Sequence, residues 1–145
     1  MARLWLRPER LRTGWRVLYA GVGFVAIALL ATAAMLTPNP SGSGTHHQLG
    51  LPPCTFKVLY NIPCPSCGMT TSWSHLMHGS VGAAFWANAG GALLAVSALC
   101  GGPWLLISAV RGYTVGGRPA EEAVLGVGVV IVVVTLAHYA VRLLA

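Results

Sequence analysis

The sequence predicts an all-α membrane protein: about three transmembrane helices, with a short interfacial helix following a cysteine-rich loop. Three observations carry that expectation. Of the 145 residues, 55% are hydrophobic and 8% are charged. An ordinary soluble domain carries roughly 25% charged residues, so this chain has too little charge for a water-facing surface. It also contains three apolar runs near the ~20 residues that cross a bilayer core, and its basic residues flank those runs. The length accommodates a single membrane domain, residues 1–145.

The first predicted span covers residues 17–36, VLYAGVGFVAIALLATAAML, with no charged residue. At 1.5 Å per residue it reaches ~30 Å. Basic residues precede it, as in a signal peptide, but the run exceeds the ~7–15 residues of a signal core. An uncleaved anchor is the better reading. The second apolar stretch covers about residues 83–110. It is long enough to tilt, to project from the membrane, or to bend at Gly101-Gly102-Pro103. Gly90, Gly91, Ala95 and Ala98 form small surfaces where another helix can approach. The third span covers about residues 123–144. Its β-branched residues favour strand in water, but a run this long and apolar argues for a membrane helix. Gly126 and Gly128 offer a second packing notch, and Glu121 and Glu122 suit its positive amino-terminal end. His138 and Tyr139 are expected at the membrane interface, with Arg142 snorkelling towards headgroups.

Orientation follows from the cations. Arg3, Arg7, Arg10, Arg12 and Arg16 precede the first span, and Arg111 and Arg118 follow the second; the first loop has Lys57 alone. The positive-inside rule puts the amino terminus in the cytoplasm and the first loop, about residues 37–82, outside. The net charge of +6 therefore belongs to membrane flanks, and nucleic acid is not an expected partner.

Residues 37–53, TPNPSGSGTHHQLGLPP, read as an exposed linker, with His46-His47 as a solvated pair. Chemistry concentrates after it. Cys54, Cys64 and Cys67 have the spacing Cys-x9-Cys-x2-Cys inside Cys-Pro-Ser-Cys-Gly. Pro63 and Pro65 stiffen the approach. A short helix begins near Gly68 and ends near Gly79. Its free amides, set close to Cys67, would favour a thiolate there. Cys67, Thr71, His75 and His78 recur at helical spacing and form one polar stripe, which reads equally as the solvated side of an interfacial helix. Trp73, Leu76 and Met77 lie off that stripe, free to rest on the membrane or on a span.

This segment resembles a family of small bacterial membrane proteins grouped as an uncharacterised domain. Its mark is an upstream Cys followed by Cys-Pro-x-Cys-Gly-[Leu/Met]-Thr. The matching residues are Cys54, Phe56, Lys57, Pro63, Cys64, Pro65, Cys67, Gly68, Met69 and Thr70, with Gly79 and Asn88 further on. The resemblance covers about residues 50–100. The chain departs from the pattern at Thr71, Ser80 and Ala89, where many members carry Arg, Asp and Pro. The resemblance implies a bacterial cytoplasmic (inner) membrane location and supplies no reaction.

Three functions fit these residues. The first is an accessory or structural subunit of a larger membrane complex, its cysteine loop clasped by a disulfide or a metal. No nucleotide loop and no Ser-His-Asp arrangement is present, so no catalytic residue is assigned. The expected partners are the lipid bilayer and other membrane subunits or further copies of the chain. The second is a zinc-type module, with Cys54, Cys64, Cys67 and either His75 or His78 as ligands. The third is a thiol–disulfide oxidoreductase using Cys64 and Cys67, with Cys54 resolving. Cys100 is expected within the membrane as a small apolar residue.

Overall fold

The computed structural model describes residues 9–117, 119 and 121–144. Arg3, Arg7 and Arg118 lie outside the described residues. The described elements are helical: α1 (Thr13–Met35), a 3-10 turn (Thr45–Leu49), α2 (Thr55–Tyr60), α3 (Met69–Met77), α4 (Val81–Ala87), α5 (Ala89–Arg111) and α6 (Glu121–Leu144). Three of them, α1, α5 and α6, are long and apolar enough to cross a membrane.

The second apolar stretch is two helices. Asn88 adopts an extended conformation (φ −163°, ψ 105°), which ends α4 and caps α5. Its side-chain Oδ1 accepts from Gly91 N at 2.7 Å, satisfying one of the free amides of the new helix. The break therefore falls at Asn88. Helix α5 continues through Gly101-Gly102-Pro103 and stops at Gly112, whose φ of 75° suits a residue without Cβ.

Helices α1 and α5 run antiparallel and touch through glycine. A Cβ on Gly23 would lie 2.9 Å from Leu106 Cγ and 3.0 Å from the Gly102 carbonyl oxygen. Closer to the cysteine end, Leu30 and Ala33 of α1, Trp73 of α3 and Ala95 of α5 form a buried cluster, with Ala98, Leu76 and Met77 against it. The small residues of α5 thus pack against this chain's own helices. Gly90 meets α6, where a Cβ would fall 2.8 Å from Thr135 Cβ. Gly91 meets α3, where a Cβ would sit 3.3 Å from the Met69 Cα. Gly126 and Gly128 have no neighbour within 4 Å of a Cβ.

One end of the bundle is tied by the basic flank. Arg16 Nε donates to the Ala109 carbonyl at 3.0 Å, Leu11 N to Gly112 O at 2.9 Å, and Thr114 N to Glu9 O at 3.0 Å. The other end holds the cysteine loop, where α1 finishes, α5 begins and α6 finishes. Residues 37–53 are more ordered than a linker composition implies. Thr45 is fully buried, and its Oγ1 lies 2.8 Å from Thr71 Oγ1.

Candidate metal centre

The Cys-Pro-Ser-Cys-Gly segment is a tight reversal. Cys67 N donates to Cys64 O at 3.0 Å and Met69 N to Ser66 O at 3.1 Å. The turn brings Cys64 Sγ to 3.3 Å from Cys67 Sγ, while Cys64 N donates to Cys67 Sγ at 3.2 Å. Gly68 follows with φ 88°, and a Cβ there would lie 2.5 Å and 2.6 Å from the carbonyl oxygens of Ala87 and Gly42. No other residue fits that space.

Cys54 reaches the same point from α2. The sulfurs of Cys54, Cys64 and Cys67 all lie within 4.8 Å of one another. Cys54 is thus brought to the Cys-x2-Cys pair, as its spacing suggested. His75 and His78 are not in that group. Helix α3 carries them ~9 Å and ~14 Å beyond its first residue, at 1.5 Å per residue. His78 Nδ1 instead lies 2.8 Å from Ser74 O. The polar stripe is only partly solvated. Cys67 and Thr71 are buried, His75 is half-buried and His78 is exposed. Trp73 is buried in the core rather than resting on a membrane surface.

The acidities also depart from the sequence expectation. Cys67 does not gain acidity from the helix that follows it; burial, then the Cys64 thiol, push its pKa up to about 12. Cys54 is the acidic thiol, lowered to about 7 chiefly by the Lys57 backbone N–H, with help from the Cys64 and Cys67 thiols. It is the amino-terminal cap of α2, so the helix amides stabilising a thiolate belong to α2.

The backbone behind the thiols is held by two residues from afar. Asn88, 2% exposed, donates from Nδ2 to Pro65 O at 3.0 Å and Cys67 O at 3.2 Å. Arg142 Nη1 donates to Cys67 O at 3.1 Å and Ala87 O at 3.2 Å. The expected snorkelling is replaced by this contact, because the break at Asn88 leaves carbonyls at the end of α4 without helical donors. Ser72 Oγ donates to Asn88 O at 3.0 Å and Ser74 Oγ to Leu36 O at 2.6 Å, tying α3 to its neighbours.

A cavity of about 420 Å³ opens beside the sulfurs, lined by the three cysteines with Lys57, His46 and His47 among others. The histidine pair, read from sequence as solvated, shares this wall. The available signal was proximity in sequence, with Cys54 only a few residues on. Three converging thiols and nearby imidazoles form a donor set suited to a soft or borderline metal.

No curated protein and no solved structure matches the chain. Residues 54–102, the segment that carries the three cysteines and Asn88, match the profile of a family whose description is "Protein of unknown function (DUF2752)".

Proposed function

We propose that this protein is a membrane-embedded metal-binding module. Cys54, Cys64 and Cys67 hold one soft ion of the zinc type at the extracytoplasmic end of the helices. The observation that carries this is the approach of all three sulfurs to within 4.8 Å of one another. A metal-coordinated thiol is deprotonated outright, so the raised pKa of Cys67 falls away once the ion is present. The bound ion would cross-link α2 to the start of α3 and clasp the loop. In a bacterial inner membrane such a module serves as an accessory subunit, with the outer face of α6, which buries none of its described residues, turned to lipid or to a neighbouring subunit. Elemental analysis of the reduced protein in detergent tests the site. About one zinc per chain is expected, and none in the Cys64→Ser/Cys67→Ser double variant. Metal-free wild-type protein after purification with zinc under reducing conditions would overturn the reading.

A second reading, thiol–disulfide exchange, is favoured by the acidity of Cys54. Its thiolate would attack a substrate disulfide, releasing one substrate thiolate. Cys64 thiolate would then attack Cys54 Sγ in the mixed disulfide, releasing the other. The substrate is reduced by two electrons and a Cys54–Cys64 disulfide forms. This assigns the attack to Cys54 rather than to the Cys64/Cys67 pair. Trapping with a Cys64→Ser/Cys67→Ser variant tests it: a mixed disulfide at Cys54 is expected, and its absence with model disulfides would remove this reading.

A further inference from the structure

We infer that His47 supplies the fourth ligand of the metal site; the inference rests on the three-cysteine reading above. His47 and the three cysteines line one cavity. The His47 Nδ1 lies 3.1 Å from the Leu51 carbonyl oxygen. A carbonyl can only accept, so Nδ1 is the donor in this contact, which leaves Nε2 as the ring atom to take a metal. Metal-bound histidines are almost always held in this way, with the second nitrogen donating to a carbonyl or carboxylate.

The surroundings keep that nitrogen accessible. A Cβ on Gly44 would lie 3.1 Å from His47 Cδ2 and 3.4 Å from its Nε2, so glycine leaves space beside the donor atom. His47 stands outside the group of donors within 4.8 Å and must advance to join it. Its carrier allows this. The 3-10 turn is bounded by Gly44 at φ 90° and Gly50 at φ 73°, two residues with wide conformational freedom. Thr45, bonded to Thr71, docks the turn against α3, so the approach falls to the His47 side chain. His78 has a similar hydrogen bond to a carbonyl but lies outside the cavity wall; of the two histidines on that wall, His46 and His47, the Leu51 carbonyl bond singles out His47. Three thiolates and one imidazole make a closed four-coordinate set of the structural-zinc kind.

Cobalt(II) titration of the reduced full-length protein in detergent tests this, because the cobalt spectrum reports the donor atoms. Wild-type protein is expected to give a tetrahedral spectrum of three sulfurs and one nitrogen. His47→Ala should weaken cobalt binding by about tenfold or more and shift the visible bands, since one of four ligands is lost. His47→Cys should recover binding with stronger sulfur-to-metal charge transfer, and His46→Ala should match wild type. If His47→Ala keeps the wild-type spectrum and affinity, the inference fails while the three-cysteine site stands. If His46→Ala alone loses binding, the ligand is His46 and the inference fails. If wild-type protein binds no cobalt, the three-cysteine reading fails and this one with it.

Discussion

Two thiols in one cluster differ because of what surrounds them. Cys54 sits at the amino-terminal cap position of α2, where backbone N–H groups, Lys57 foremost, lower its pKa; Cys67 is buried beside another thiol. Alkylation of the reduced, metal-free protein should therefore be selective. The Cys54 rate should rise steeply from about pH 6 to about pH 8 as thiolate forms, then level off, while Cys67 stays unreactive over that range. Peptide mass spectrometry after iodoacetamide treatment measures it, and faster modification of Cys67 would contradict the assignment. At Asn88 one side chain performs three tasks: it caps α5 through Gly91 and holds the carbonyls of Pro65 and Cys67. Asn88→Ala should cost about 2–4 kcal/mol, the loss of a cap plus stranded buried carbonyls. Unfolding in detergent would show this, and a change below about 0.5 kcal/mol would mean that the carbonyls find other donors. The motif spacing identified the thiols, but their acidities follow from their surroundings: the α2 backbone N–H groups at Cys54, and burial at Cys67. Spacing along the chain does not specify that.

Between elements, glycine sets the contact distances. Gly90 lies against Thr135, so α5 and α6 approach closely there, whereas Gly128 on α6 has open space. Gly90→Val should therefore destabilise the protein by about 1–3 kcal/mol through overpacking, while Gly128→Val leaves stability nearly unchanged. Paired thermal unfolding in the same detergent compares them, and equal losses would place the contact elsewhere. Spans were readable because lipid demands long apolar runs. The break at Asn88 was hidden inside such a run, since Asn88 is one polar residue among many apolar ones. Its cap bond to Gly91 and its reach to Cys67 exist only once the chain is folded.

At the scale of the molecule, α6 is joined to the cysteine loop through Arg142, which donates to the carbonyls of Cys67 and Ala87. Arg142→Gln should lower the unfolding temperature and weaken zinc retention, because a charge-assisted bond worth ~1.5–3 kcal/mol is lost behind the Cys67 sulfur. Zinc release followed with a chromogenic chelator measures it, and wild-type retention would reduce the contact to a passive one. Orientation is tested on intact cells. A membrane-impermeant maleimide, applied after reduction and chelation, is expected to label Cys54; labelling only after lysis would place the loop in the cytoplasm. The sequence by itself determined the helical class, the three helices long and apolar enough to span a membrane, and the thiol motif, because hydrophobic length and residue chemistry are local properties. Only the tertiary structure decided that His46 and His47 share a wall with the cysteines, that His75 and His78 are carried away from them along α3, and that Arg142 turns inward. Each of those depends on where residues distant in sequence meet, and that is set by the packing of the helices.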